Sequence, residues 1–188
     1  TGNGGADQYT GGAGSDTFEV DVVNAGGAAT VNEITDFTFG SGGDQIEFDD
    51  ADLEALAAAT DLVSGDVASL EDDGALGIRE IVSGTAATAA AGDDLFALVG
   101  ATLADTDAVE DALETGDFAL TLGNPPTAGD AFLVAYSDGT DAYIAVASTA
   151  ATNADLAATD LTVDNVVQLT GITSLEAGQL DSANFEIL

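Results

Sequence analysis

Cysteine, histidine, methionine, tryptophan and lysine are all missing from the 188 residues, and Arg79 is the one basic side chain. Without cysteine there is no disulfide, thiol nucleophile or thiolate ligand. With histidine missing as well, redox, zinc and thiol chemistry are excluded. Carboxylates and tyrosine are the acid–base groups that remain. Against the single arginine stand 35 acidic residues, a formal net charge of −34. A surface so short of Lys and Arg cannot neutralise phosphates, which excludes nucleic acid as a partner, and an anionic membrane surface repels it. No apolar run reaches the ~20 residues of a membrane span. The partners this charge selects are cations and positively charged surfaces, because self-repulsion opposes compaction until cations offset it. Adaptation to a saline habitat is a second source of such acidity, compatible with the first.

What the chain does have is apolar bulk and glycine. Hydrophobic residues make up 46%, enough for the core of one or two small domains. The glycines open the chain with a period of nine: Gly2-Asn3-Gly4-Gly5-Ala6-Asp7-Gln8-Tyr9-Thr10, then Gly11-Gly12-Ala13-Gly14-Ser15-Asp16-Thr17-Phe18-Glu19. Both units fit G-G-x-G-x-D-x-U-x, with U a large apolar residue and Asn3 in place of one glycine. A flexible linker has no reason to hold Asp and an aromatic at a fixed spacing. Glycine reaches positive φ, so the chain can turn tightly and aim its carbonyls at a cation. Asp adds a hard anionic oxygen of the kind calcium prefers. Tyr9 and Phe18 then point into a narrow core from very short strands. Thr1 occupies the last position of a preceding unit, as expected of a piece of a longer repeat array.

Beyond the repeats, strands are expected at 18–23, at 31–37 with Val31 on one face, and at 45–48, separated by Gly-rich turns. Residues 52–60 read as a helix capped by Asp52. A strand over 76–82 carries Arg79, and a loop follows over 84–92. Residues 105–114 read as a second helix, stopped by Gly116. Asn124-Pro125-Pro126 marks a break. A hairpin then joins 131–136 to 141–147 through Ser137-Asp138-Gly139-Thr140. A short helix is expected over 153–158, a strand over 165–170 and an apolar terminal stretch over 181–188. The adjacent acids Asp72-Asp73 and Asp93-Asp94 would be the material for a glycosidase-like carboxylate pair. They are read instead as solvent-facing turns, and the chain is expected not to be an enzyme.

The nonapeptides resemble the calcium-binding repeats of the RTX (repeats-in-toxin) family. Asp36-Phe37-x-x-Gly40 followed by Gly43-Asp44-x-Ile46-Glu47-Phe48 is similar to the segment after the repeats in its serralysin-type members, with a longer loop. The tail resembles the family's type I secretion target ending: Val166-Val167-Gln168-Leu169-Thr170-Gly171-Ile172-Thr173, Leu175 to Leu180, then Asn184-Phe185-Glu186-Ile187-Leu188. The resemblance covers residues 1–48 and about 130–188, with the apolar hairpin included. It implies a mainly β chain: a short parallel β-roll followed by a largely antiparallel β domain with a few short helices. Residues 1–48 would form the repeats and capping strands, 49–126 an α+β insertion of unknown role, and 127–188 a β subdomain carrying the secretion signal. Calcium is the implied cofactor. Asp7 and Asp16 would supply carboxylates, Gly2, Gly4, Gly11 and Ala13 turn carbonyls, and Asp36 and Asp44 would help complete the sites. A roll coil takes two repeats, so two repeats cannot close a full set of sites and further ligands are expected from elsewhere. The implied function is a non-catalytic module of a secreted bacterial protein, folding on calcium after passage through a type I exporter. The alternative is a calcium-dependent, self-assembling surface-layer or adhesin subunit at the cell surface.

Overall fold

A computed structural model describes residues 5–23, 29–49, 51–53, 74–90, 92–122, 130–150 and 155–188. Its first four strands are short: β1 (Gln8–Tyr9), β2 (Thr17–Val20), β3 (Asn32–Ile34) and β4 (Gln45–Phe48). They alternate between two sheets, β1 pairing with β3 and β2 with β4, both in parallel. That is the winding of a parallel roll. β1 and β3 each run into a turn with glycines at positive φ, and along β2 exposed and buried side chains alternate, the period-2 pattern of a strand with one face in a core. The first coil is β1 and β2, the second β3 and β4.

A third coil comes from the far end of the chain. β12 (Leu161–Leu169) pairs in parallel with β3, and β13 (Phe185–Ile187) in parallel with β4. Three apolar rows run through all three coils: Tyr9–Ile34–Leu169, Phe18–Ile46–Phe185 and Val20–Phe48–Ile187. Every member except the half-buried Tyr9 is buried. On the outer face the same register lines up Glu19, Glu47 and Glu186.

Between coils two and three the chain builds the rest of a seven-stranded sheet, in the order β1-β3-β12-β11-β10-β8-β6. Here β6 is Ile78–Val82, β8 Leu95–Val99, β10 Ala131–Ser137 and β11 Ala142–Thr149. The sheet takes strands from the N-terminal, middle and C-terminal segments alike. One face, with Leu95, Leu133 and Ile144, meets the roll core against Phe18, Phe48 and Phe185. The other, with Phe96, Phe132 and Tyr136, is covered by helix α1 (Thr106–Glu114) and by the pair β7 (Ala87–Thr88) and β9 (Leu120–Thr121). β5 (Gly74–Ala75) edges the four-stranded sheet β2-β4-β13-β5.

The chain is mainly β, as its sequence leads one to expect, and the large sheet is mixed. The hairpin β10–β11 and the pair β11–β12 are antiparallel, while β6–β8 and β8–β10 are parallel. Helix α1 is the crossover between β8 and β10, the connection a parallel pair requires. Asp105 caps it, its carboxylate accepting the Ala108 N–H at 2.9 Å.

Four local expectations are corrected. Val31 is 38% exposed, because the roll register turns Asn32 and Ile34 inward instead. The stretch 84–92 is not all loop, since β7 pairs with β9 inside it. Asp155 forms a bridge with Thr121, and residues 156–158 are not helical, so the short helix near 153–158 is absent there. Residues 51–53 are helical, so Asp52 lies inside the turn and does not cap it; Asp49 accepts the Ala51 N–H at 2.9 Å, and Asp52 accepts the Val22 N–H at 3.2 Å. Residues 54–60, the Asn124-Pro125-Pro126 break and Asp72-Asp73 lie outside the described residues.

The covering helix does more than bury apolar surface. Residues 161–163 of β12 have β11 on one side and no strand of β3 opposite them on the other. Their outward N–H groups are taken by helix carboxylates. Glu114 accepts from Leu161 at 2.8 Å and from Thr159 at 2.9 Å, and Glu110 accepts from Val163 at 2.8 Å. Glu114→Ala therefore strands donors beneath a helix, an expected loss of about 3 kcal/mol by urea unfolding, while Glu114→Gln retains part of it. Equal stability of the alanine variant and the parent would show that water replaces the carboxylate.

Candidate cation-binding turns

The roll has two rows of turns, one at each end of its strands. Residues 10–16 and 35–44 stack at one end. Their hairpin-tight paths depend on glycines at positive φ: Gly12 at 98° and Gly14 at 130° in the first, Gly40 at 89° and Gly42 at 82° in the second. Gly11 is required for another reason. The Asp16 side chain lies across it, and a Cβ there would stand 2.7 Å from the carboxylate.

Carboxylates knit the two turns together through main-chain N–H groups. Asp36 accepts from Gly11 at 3.0 Å and from Gly12 at 2.7 Å. Asp44, buried, accepts from Asp16 N–H at 2.9 Å with one oxygen and from Thr38 N–H at 2.7 Å with the other. Asp16 is not so served: its Oδ2 is buried with no hydrogen-bond partner, and the same holds for Oδ2 of Asp7 at the opposite corner. Among the described residues, no donor reaches the carbonyls of Gly11 and Ala13 either. The structure thus brings Asp16, Asp36, Asp44, Gly11 and Ala13 into one pair of stacked turns and sets Asp7 at the other end of β1. Gly2 and Gly4 lie outside the described residues. Among the described residues no three carboxylates converge closely enough to hold a metal by side chains alone. Any ion here needs main-chain carbonyls and water in its shell, which is the mixed oxygen set calcium accepts.

Two buried asparagines complete the turns, and sequence reasoning passed over both. Asn32 stands in register with Asp7 and accepts its N–H at 3.2 Å, while its own amide donates to the Asp21 carbonyl at 2.7 Å. Asn184 comes from the third coil. It accepts from Gly40 N–H at 2.9 Å and donates to the carbonyls of Asp44 at 2.8 Å and Gly40 at 3.3 Å. Neither has any exposed surface. The signal for them is the position before an alternating strand, which Asp occupies in the repeats.

The charge is unevenly eased elsewhere. Arg79 pairs with Asp93 at 3.3 Å. The neighbouring Asp94 is not the solvent-facing acid its sequence suggests: it is 8% exposed, one oxygen accepts the Gly77 N–H at 2.7 Å, and Oδ1 is buried without a partner. The reason is the close approach of two strands' entries, where a Cβ on Gly77 would stand 1.5 Å from the Gly92 carbonyl. Burial first, and then the charge of Asp93, push the Asp94 carboxyl above its ordinary range against the Gly77 hydrogen bond. Burial and the flanking Glu186 and Glu19 do the same to Glu47. Asp52 and Glu110 are raised mainly by burial. In the hairpin turn, burial opposes ionisation of Asp138, but donors from Asp141, Thr140 and the Tyr143 hydroxyl outweigh it and lower its value. Burial and that same anion push the Tyr143 phenol up to about 12.

Compared with protein-family profiles, with curated proteins and with solved structures, the chain matches none.

The raised carboxyls give stability a definite sign with pH. Asp94, Glu47, Asp52 and Glu110 hold protons more readily folded than unfolded, so their contribution is full below the ordinary 3.8 to 4.5 and is lost as pH rises through their folded values. Asp138 acts oppositely, and its contribution is lost as pH falls through its lowered value. The thermal midpoint is expected to rise as pH falls from neutral toward the ordinary carboxylate range, through the raised folded values of these four groups. Asp94→Asn should raise the midpoint at neutral pH and flatten that rise. A midpoint that falls steadily over the same interval would refute the assignment.

Proposed function

We propose that this chain is the non-catalytic calcium-folded module of an extracellular bacterial RTX protein, with the type I secretion signal in its C-terminal segment. The observation that carries the reading is the pair of buried, unpartnered oxygens on Asp7 and Asp16 at the turns of a parallel roll. A buried ionised oxygen left without a donor costs stability, and a hard cation is the partner that fits it. Asp36, Asp44 and the free carbonyls of Gly11 and Ala13 are the neighbouring oxygens. Calcium that binds the folded turns and not the open chain shifts folding by mass action. At low cytosolic calcium the charge keeps the chain open for a C-terminus-first exporter; outside, calcium closes the roll.

A second reading has its own observation. β1 and β2 are the edge strands of the two sheets and lie together in the first coil. Edge strands set side by side are a template for strand pairing, and pairing between copies of such a coil suits a surface-layer or adhesin subunit bridged by calcium. Light scattering separates the readings: a secretion module stays monomeric in calcium, and an assembly subunit grows.

Far-UV circular dichroism during a calcium titration, with magnesium and sodium chloride as controls, tests the ion. A cooperative gain of β signal with calcium alone is expected. Asp16→Ala should shift the calcium midpoint several-fold upward. Asp138→Ala, which frees a hairpin turn whose carboxylate is occupied by its own N–H groups and Tyr143, should leave the midpoint in place while lowering thermal stability. Equal folding in sodium chloride would reduce the effect to charge screening and remove the calcium assignment.

A further inference from the structure

The two corners of the roll are built alike with one substitution. At one corner the second-coil residue is Asp44, and it accepts the backbone N–H of first-coil Asp16. At the other it is Asn32, and it accepts the backbone N–H of first-coil Asp7. The remaining side-chain atom then differs in sign. The second oxygen of Asp44 takes an N–H from its own turn, Thr38. The Asn32 nitrogen instead donates to a turn carbonyl, that of Asp21. Between coils two and three the same device recurs, with the Asn184 nitrogen facing the carbonyls of Gly40 and Asp44. A carbonyl pair facing an anionic side chain is a cation site, since all three are hard oxygens. Turn carbonyls facing an amide NH₂, one at Asn32 and two at Asn184, are already satisfied, because that nitrogen carries two donors and no acceptor.

We propose that Asn32 and Asn184 are built-in substitutes for a bound cation. Each amide places partial positive charge where an Asp in the same position would need a metal. They satisfy the Asp21 carbonyl beside the Asp7 corner, and the turn carbonyls between coils two and three, without an ion. The carboxylate oxygens of the roll still left to a cation are then Oδ2 of Asp16, beside Asp36 and Asp44, and Oδ2 of Asp7. The choice of calcium as that ion rests on the function proposed above; the substitution of amide for cation does not.

The test uses Asn32→Asp and Asn184→Asp, with Asn32→Ala and Asn184→Ala as controls, in the full chain. Thermal midpoints are read in chelator and in millimolar calcium, and bound calcium is counted by equilibrium dialysis. The aspartate variants should melt lower than the parent in chelator, recover most of the loss in calcium, and each hold one more ion than the parent. The alanine variants should lose stability and recover no more than the parent does. Where an aspartate variant is unfolded in chelator, regain of β signal on adding calcium is the readout. Aspartate variants that respond to calcium no better than their alanine counterparts, or with an unchanged ion count, overturn the proposal. A parent indifferent to calcium, beside aspartate variants that gain an ion, would sink the calcium-module reading and leave this one standing.

Discussion

Everything in this fold answers to one shortage: 35 carboxylates share a single cationic side chain. Arg79 can serve Asp93 and little else. The main chain supplies the rest. Backbone N–H groups point at Asp36, Asp44, Asp94, Glu110, Glu114, Asp138 and Asp141, among others. Each such bond does two things, holding an anion and satisfying a donor that a turn or strand end would otherwise leave bare. The acidity therefore works as capping material. The glycine content follows from it, because a carboxylate can reach successive N–H groups only where the backbone turns sharply enough to present them, as at Gly11 and Gly12 beneath Asp36.

The same economy explains the order of the roll. Two nonapeptides make one coil and cannot bury Tyr9 and Phe18 by themselves. Coils two and three, from residues 32–48 and 161–187, continue the same rows. The last coil arrives after more than a hundred residues that build the large sheet, so closing the roll and completing that sheet are one event: β12 belongs to both, pairing with β3 on one side and β11 on the other. A coil so coupled raises cooperativity. It also hides the apolar tail, since Phe185 and Ile187 are buried in the finished roll.

The parts of this that the sequence discloses are those with a local cause. The nonapeptide period, the helix over 105–114, and the apolar hairpin around Asp138 each follow from a few neighbouring residues, and the helix and hairpin form where they were expected. The triplets Phe18-Glu19-Val20, Ile46-Glu47-Phe48 and Phe185-Glu186-Ile187 share one pattern, which in hindsight marks three equivalent strands. What stays hidden is pairing at a distance. No local rule says that residue 185 returns beside residue 46, and register decides that Asn32 rather than Val31 faces inward. Asp94 was misread for the same reason: its burial is made by Gly77 and Gly92, brought together by the parallel pairing of β6 and β8. Of the candidate turn residues, the carboxylates were visible because repeats advertise them. The buried amides were not, because Asn carries no charge to be missed.

A buried carboxylate oxygen can be answered in three ways: by an N–H, by a proton, or by a metal ion. Asp44 has the first, with a donor on each oxygen. Asp94 leans on the second, its burial and its neighbour Asp93 both favouring the protonated form. Asp7 and Asp16 have neither an N–H on Oδ2 nor, as Asp44 does, a donor supplied from the next turn. The three answers do not respond to the same variable. An N–H is indifferent to the medium, a proton follows pH, and an ion follows its own concentration. On the reading proposed above, the third answer falls to Asp7 and Asp16 in the first coil, and that part of the fold is the one that senses its surroundings. The hydrogen-bonded interior behind it stays fixed.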